Sequence, residues 1–215
     1  MIDAVVFDLD GVIVDSEQVW DEVRAALVHD AGLPFPPEAT RVMMGMSSLE
    51  WSRYLVESVG LPGTPEEANA AVVERMLDRY ADGPPFIPGA IDAVRRIGAR
   101  WPVGVASSSN RELIDLVLEA AGLSSLVRVA VSSEEVAAGK PAPDVYLKAL
   151  RELGVEGQRA AGVEDSHNGI RSAKAAELRV IAIPNRHFPP DAEALALADV
   201  VLASIDELTP QVISG

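Results

Sequence analysis

Two aspartates, Asp8 and Asp10, follow an apolar segment near the start of the chain and are separated by one residue. Carboxylates this close repel each other, so their placement at the end of a buried strand requires compensation. A cation between them would provide it, and one carboxylate would then be available for chemistry. The spacing therefore suggests a cation-dependent reaction site.

Three further polar clusters follow apolar segments later in the chain. They are the serines at 107–109, Lys140 in a Gly-Lys-Pro-Ala-Pro-Asp segment, and the Glu-Asp-Ser segment at 164–166. In an open parallel sheet, the carboxyl ends of the strands form one crevice, where ligands bind. Together the clusters supply acids for a hard cation, a hydroxyl and a lysine for an anion, and a candidate nucleophile.

Short apolar segments bounded by polar or turn residues are typical of strands that are buried on both faces. They occupy residues 4–7, 103–106, 127–131, 160–163, 180–183 and 200–202. Amphipathic segments with a helical pattern separate most of them, at 90–99, 111–121, 144–153 and 168–176. This alternation predicts an α/β protein with a Rossmann-like, doubly wound parallel sheet.

The segment after the first strand departs from this alternation. Helices are predicted at residues 16–31, 37–44, 48–59 and 66–80, with no clear strand among them. We expect these four helices to form a small all-α cap domain, residues 15–85, inserted after strand 1. Residues 1–14 and 86–215 would then form the Rossmann-like catalytic core.

The composition excludes several partners. The chain has 33 acidic and 18 basic residues, a formal net charge of -15, and no cysteine. Such a charge disfavours nucleic acids and anionic membranes as partners. No apolar segment approaches the ~20 residues of a membrane span, and no signal peptide is predicted, so a cytoplasmic location is expected. A phosphorylated substrate would need local compensation from a metal ion, a lysine or backbone N–H groups.

The motifs resemble those of the haloacid dehalogenase-like hydrolase superfamily. Phe-Asp-Leu-Asp-Gly-Val at 7–12 resembles its first motif, Ser107 its second, Lys140 its third and Glu-Asp at 164–165 its fourth. The segments 136–144 and 163–170 are similar to the branch that holds β-phosphoglucomutase and phosphoglycolate phosphatase. The resemblance covers nearly the whole chain, including the helical cap.

The resemblance implies roles for the acidic residues. Asp8 would attack phosphorus and form an aspartyl-phosphate, and Asp10 would serve as general acid and then as general base. Mg²⁺ would be held by the carboxylates of Asp8 and Asp165 and the backbone carbonyl of Asp10. Glu164 would be either a further ligand or a neighbouring acid.

The resemblance also implies that Ser107 and Lys140 bind the phosphoryl oxygens, with Lys140 offsetting the charge around the nucleophile. Ser107 is equally suited to cap the following helix. Four other residues are predicted to contact the substrate: Gly45, Ser47, Ser108 and Asn110.

What reaches the aspartyl-phosphate decides the reaction. Water gives a phosphatase, whereas a second sugar phosphate gives a mutase of the β-phosphoglucomutase type. The mutase branch has a histidine where this chain has Trp20, and an arginine where it has Ser48, although Arg41 or Arg53 could substitute for that arginine. These departures favour a phosphatase acting on a small metabolite of the sugar phosphate or phosphoglycolate type, with a mutase as the alternative. A receiver-like signalling protein and a non-catalytic sugar-phosphate binder are less favoured.

Overall fold

The computed structural model describes residues 1–43 and 46–215. Within these ranges, no helix has both the length and the apolar character needed to cross a membrane. The strands are β1 (Ala4–Phe7), β2 (Val103–Ser107), β3 (Val127–Ser132), β4 (Ala160–Glu164), β5 (Arg179–Ala182) and β6 (Val200–Val201). The helices are α1 (Glu17–Asp30), α2 (Ala39–Met43), α3 (Ser48–Glu57), α4 (Pro65–Tyr80), α5 (Ala90–Gly98), α6 (Arg111–Ala120), α7 (Asp144–Leu153), α8 (His167–Ala175), α9 (Ala192–Leu195) and α10 (Pro210–Ser214).

The strands form a single parallel sheet in the order β3-β2-β1-β4-β5-β6. Phe7 of β1 lies opposite Val105 on one side and Val163 on the other. The predicted parallel α/β architecture is therefore confirmed. The strand order reverses between β1 and β4, and ligands of such sheets bind at this switch point.

The sheet is buried on both faces because helices cover each side. Val5 and Phe7 contribute to an apolar core that includes buried residues of α5 and α6. Val6, between them, contributes to a second core with residues of α7 and α8. Successive side chains of a strand point to opposite faces, so both must be apolar here. This explains why the sequence shows continuous apolar segments.

Helices α1 to α4 follow β1 and form the helical insertion. Helix α4 packs on α1 and α3. Reciprocal side-chain and backbone hydrogen bonds close capping boxes at Ser47 with Glu50 and at Thr64 with Glu67. These bonds satisfy N–H groups that would otherwise lack partners at the helix starts.

The two chain segments that join the helical insertion to the sheet lie side by side. Val14 forms an antiparallel bridge with Phe86. The Asp15 N–H donates to the Pro85 carbonyl (2.8 Å), and the Ile87 N–H donates to the Ile13 carbonyl (3.0 Å). We call residues 13–15 and 85–87 the paired linkers. They enter and leave the sheet beside the carboxyl end of β1, where Asp8 and Asp10 lie.

Candidate active site

Asp8 is buried directly after β1, and neighbouring donors fix one of its oxygens. Its Oδ1 accepts a hydrogen bond from the Leu9 N–H (2.8 Å) and lies 2.9 Å from Lys140 Nζ. Charge-assisted hydrogen bonds of this kind restrict the orientation of a carboxylate. Among the described residues, Oδ2 receives no hydrogen bond, so it is available to react.

Lys140 is buried beside Asp8 and is itself anchored by a second carboxylate. Its Nζ lies 2.6 Å from Glu164 Oε1, and the Tyr146 hydroxyl donates to the same oxygen (2.7 Å). The Tyr146 ring centroid is 5.2 Å from Nζ, within the range of a cation–π contact. Burial would lower the pKa of Lys140, but Asp8 and Glu164 raise it well above its usual value. The ammonium is therefore charged at neutral pH.

Three buried carboxylates could hold a metal ion. Asp8, Glu164 and Asp165 each offer an oxygen, and these oxygens lie within 4.8 Å of one another. Burial, followed by the charges of neighbouring acids, raises the pKa of Asp8 and of Asp165 well above 3.8. Ionising both acids is thus costly unless a cation joins them. Oxygen donors in this arrangement fit Mg²⁺.

Glu164 differs from the other two acids in its partners. Besides Lys140 and Tyr146 on Oε1, it accepts hydrogen bonds on Oε2 from the Asp165 N–H (3.2 Å) and the Ser166 hydroxyl (3.4 Å). It does not line the pocket that the described residues form above Asp8. This geometry favours a role for Glu164 in anchoring Lys140 over direct metal ligation.

Asp165 is oriented by a residue that the sequence did not single out. Asn185, in the loop after β5, donates from Nδ2 to Asp165 Oδ2 (3.1 Å). The Asn185 Oδ1 accepts from the N–H groups of His187 and Phe188 (3.0 and 3.1 Å), which fixes the amide. A carboxylate supported in this way is preorganised to ligate a metal.

Gly11 allows Asp165 to approach β1. Its φ of 78° lies in the left-handed region, and a Cβ at this position would overlap the Asp165 carboxylate. A glycine is therefore required at this position for two reasons, its backbone conformation and the space that the Asp165 carboxylate occupies.

Asp10 is held by donors from both parts of the chain. Its Oδ1 accepts from the Ser16 hydroxyl (2.5 Å) and from the Trp20 indole N–H (3.2 Å), at the start of the helical insertion. Its Oδ2 accepts from the hydroxyls of Ser109 (2.6 Å) and Ser107 (3.3 Å), after β2. Asp10 therefore connects the insertion to the sheet.

The pocket lies between the sheet and the helical insertion. It encloses a cavity of ≈ 40 Å³, enough for a few water molecules. From the core it is lined by Asp8, Asp10, Ser108, Ser109, Lys140, Asp165 and Ser166, and from the insertion by Glu17, Trp20, Arg24, Met43, Met46 and Trp51. A ligand larger than a few water molecules needs more room than this cavity provides.

The remaining predicted substrate contacts occupy different places. Ser107 is buried at the end of β2, and its Oγ also accepts from the Ser109 N–H (3.0 Å). Ser108 lines the pocket. Asn110 donates from Nδ2 to Asn69 (3.1 Å) and Glu134 (2.7 Å), and Ser47 caps α3. Gly45 lies outside the described residues. The substrate roles of these residues remain predictions.

Sequence reasoning missed several residues of this site. Tyr146 and Asn185 support Lys140 and Asp165, and Glu17 and Arg24 enter the pocket from α1. Spacing on α1 offered one signal, because positions 17, 20 and 24 recur at helical intervals and so share a face. No local signal marked Asn185, which reaches the site through tertiary packing.

The candidate active site thus combines a carboxylate paired with a lysine and a carboxylate cluster at the switch point of a parallel sheet. The profile of haloacid dehalogenase-like hydrolases matches residues 2–177, and the chain belongs to this family. The predicted family membership is thereby confirmed.

Several relatives match the chain over nearly its whole length. It is 30% identical to hexitol phosphatase B of Escherichia coli K12, covering 99% of this chain and 96% of the relative. It is 31% identical to validoxylamine A 7'-phosphate phosphatase of Streptomyces hygroscopicus subsp. limoneus, covering 97% and 96%. The crystal structure of CbbY from Rhodobacter sphaeroides with phosphate superimposes with a TM-score of 0.87 at 28% identity, covering 100% of both chains. The prediction of a phosphatase-type hydrolase agrees with these relatives.

The close approach of Gly11 to the Asp165 carboxylate predicts that a methyl group at position 11 weakens metal binding. Gly11→Ala is expected to displace the Asp165 carboxylate. Mg²⁺ binding should weaken by about 10- to 100-fold, which is the usual effect of removing a residue that supports a metal ligand. The Mg²⁺-induced rise in melting temperature, titrated against Mg²⁺ concentration, measures this. Gly60→Ala is the matched control, because Gly60 also has a positive φ but no atom would contact its Cβ within 4 Å. Equal Mg²⁺ affinities in both variants would contradict the assignment of Asp165 as a metal ligand.

The raised pKa of Glu17 predicts that the free energy of unfolding depends on pH. Burial and the Asp10 charge raise its pKa from 4.5 to about 7. The unfolded chain therefore loses the proton first, and the free energy of unfolding falls as pH rises from 4.5 to 7. Glu17→Gln should remove this loss, stabilising the protein by about 1–3 kcal/mol at pH 8 and little at pH 4.5.

Urea unfolding in chelator at both pH values measures this difference. Glu38→Gln, at an exposed position, controls for the loss of one negative charge. A stabilisation by Glu17→Gln that does not change with pH would contradict the role of burial at this carboxyl group.

Proposed function

We propose that the protein is a Mg²⁺-dependent phosphatase that hydrolyses a small phosphorylated metabolite through an aspartyl-phosphate on Asp8. The observation that carries the proposal is the Asp8 carboxylate, with one oxygen clamped by Lys140 and the other unbonded among the described residues. The relatives named as phosphatases support the same reaction class.

Asp8 acts as the nucleophile, and Asp10 acts as the general acid and then as the general base. The Asp8 carboxylate attacks phosphorus, the ester P–O bond breaks, and Asp10 donates a proton to the leaving oxygen. Water then attacks the phosphorus of the aspartyl-phosphate, and Asp10 takes its proton. The bond between phosphorus and Asp8 breaks, which releases inorganic phosphate and restores the carboxylate.

Lys140 and a cation at the metal site would compensate negative charge during both steps. Asp8, Asp165 and the backbone carbonyl of Asp10 would hold the ion, with Glu164 orienting Lys140. Bound there, Mg²⁺ supplies positive charge that offsets the carboxylates and the phosphoryl oxygens. Lys140 is fixed by Glu164 and Tyr146, so it presents its charge without reorganisation.

The helical insertion would act as a cap, residues 15–85, that opens and closes on the paired linkers. The cavity of ≈ 40 Å³ supports this, because the substrate must enter a wider state. Closure would exclude bulk water and admit the attacking molecule. Ser16 and Trp20 bind Asp10 in the closed arrangement, so cap position and the general acid are coupled.

A phosphatase is favoured over a mutase by the pocket. Trp20 supplies an indole N–H, which cannot exchange protons as a histidine can. Ser48 donates to Glu134 (3.2 Å) instead of presenting a cation to the pocket. Arg41 is exposed and Arg53 pairs with Glu57 at the surface, so neither replaces the missing arginine.

Phosphate release from a panel of phosphorylated metabolites tests the proposal. We expect release that is lost in chelator and reduced by about 10³- to 10⁴-fold in Asp8→Asn, because the nucleophile is removed. Asp92→Asn, on the exposed surface of α5, is the matched control. Full activity of Asp8→Asn would overturn the mechanism.

The same assay distinguishes the alternatives. Conversion of β-glucose 1-phosphate to glucose 6-phosphate without phosphate release would indicate a mutase. A stable phosphoprotein formed from acetyl phosphate, without turnover, would indicate a receiver-like protein.

Two hydrogen bonds across the cap boundary predict a change in substrate affinity. The Asn110 Nδ2 donates a hydrogen bond to Asn69 Oδ1 in α4, and the Ser48 hydroxyl in α3 donates one to Glu134. Asn69→Ala should favour the open arrangement and raise KM about 2- to 10-fold, the equivalent of one hydrogen bond. Steady-state kinetics measure KM, with Glu74→Ala on the exposed side of α4 as control. An unchanged KM would exclude Asn69 from cap closure.

A further inference from the structure

Arg24 places a buried cation in the cap side of the pocket. It lies on α1, is only 7% exposed, and lines the pocket together with Asp8 and Lys140. No motif of the sequence marks it, and the phosphatase chemistry proposed above does not use it. An arginine is almost never this buried unless it has a partner.

Two tryptophans hold the Arg24 guanidinium in place. Its Cζ lies 4.8 Å from the ring centroid of Trp20 and 4.8 Å from that of Trp51. The two rings are 6.0 Å apart and inclined at 57°. Cation–π contacts fix the plane of the guanidinium and leave its N–H groups, which lie in that plane, available for hydrogen bonds.

Among the described residues, the buried Nε of Arg24 has no hydrogen-bond partner. The guanidinium also forms no ion pair with any of them. Burial lowers the pKa of Arg24 to about 10, so the group is charged at neutral pH. An unpaired buried donor is unfavourable, and a ligand that supplies an acceptor removes this cost.

We propose that Arg24 is a substrate-binding residue that donates hydrogen bonds to hydroxyl oxygens of the leaving group, and that it selects polyhydroxylated monophosphates. The proposal rests on the phosphatase function proposed above and names its substrate class. Trp20 and Trp51 act as positioning residues for Arg24.

The surrounding charges favour hydroxyl groups over a second phosphate or carboxylate. Glu17 lines the same pocket, and the charges of Glu17, Asp10 and Asp21 act on Arg24. A second anionic group bound at Arg24 would be repelled by these acids. A hydroxyl group can accept from Arg24 and donate to Glu17 at the same time.

Matched substrates test the selection with the whole protein. The hydroxylated set is sorbitol 6-phosphate, glucose 6-phosphate and glycerol 3-phosphate, the apolar set is n-hexyl and n-propyl phosphate, and fructose 1,6-bisphosphate carries a second anion. The wild type should show the highest kcat/KM on a hydroxylated monophosphate. In Arg24→Met, kcat/KM should fall at least 10-fold more for that substrate than for the alkyl phosphate of similar length.

Two further variants separate binding from structure. Arg24→Lys keeps the charge but not the planar set of donors, so it should recover only part of the loss. Arg53→Met, an exposed arginine of α3, should match the wild type on every substrate. If Arg24→Met does not fold, Arg24→Lys decides the proposal: its kcat/KM should fall more on the hydroxylated monophosphate than on the alkyl phosphate of similar length, and an equal fall would contradict the proposal.

Each other outcome contradicts the proposal. An equal loss on hydroxylated and alkyl phosphates would assign Arg24 a structural role. A preference for the bisphosphate, lost in Arg24→Met, would make Arg24 an anion-binding residue. Alkyl phosphates equal to the hydroxylated set in the wild type would exclude the selection. Absence of Asp8-dependent hydrolysis of every compound would instead refute the phosphatase function itself.

Discussion

The balance of charge around Lys140 is the constraint on which the rest of the site depends. Its ammonium lies between Asp8 and Glu164, both removed from water. Buried carboxylates are tolerated only when paired, and the lysine in turn would be neutralised by burial without them. Asp165 adds a third carboxylate that Lys140 cannot also neutralise, and a cation bound at this cluster would offset the excess of negative charge. Tyr146 and Asn185 hold the arrangement in position without adding charge.

The helical insertion does more than cover the site, because it also supplies hydrogen-bond donors to Asp10. Ser16 and Trp20 lie beside the paired linkers and bind the same carboxylate as Ser107 and Ser109 of the core. Any movement at the linkers must therefore break hydrogen bonds to Asp10. In the proposed mechanism, Asp10 would therefore be in position as general acid only when the pocket is closed, which would link proton transfer to the exclusion of bulk water.

The sequence predicted the parts of the structure that follow from local pattern. The strands were recognisable because burial on both faces imposes continuous apolar segments. The meeting of Asp8, Asp10, Lys140 and Asp165 in one pocket followed from the motifs after the strands, whereas their chemical roles remain predictions. Asn185 and Tyr146 could not be predicted, since each acts through one hydrogen bond to a residue distant in sequence. The place of Arg24 between two tryptophans could not be predicted, because Trp51 lies on α3 and meets Arg24 only in the folded structure. The partners of Glu164 likewise emerge only from tertiary structure.

The antiparallel pairing of the two linkers makes the helical insertion a module on a two-stranded stem. Because the stem brings both ends of the insertion together, a replacement of any length meets nearly the same closure requirement, and loop entropy grows only slowly with length. The sheet and its buried carboxylate cluster would keep their register whatever the stem carries, whereas Asp10 would lose the donors Ser16 and Trp20. Under the proposed function, a change of insertion would therefore change the substrate preference and the setting of Asp10, while the buried carboxylates remain in place.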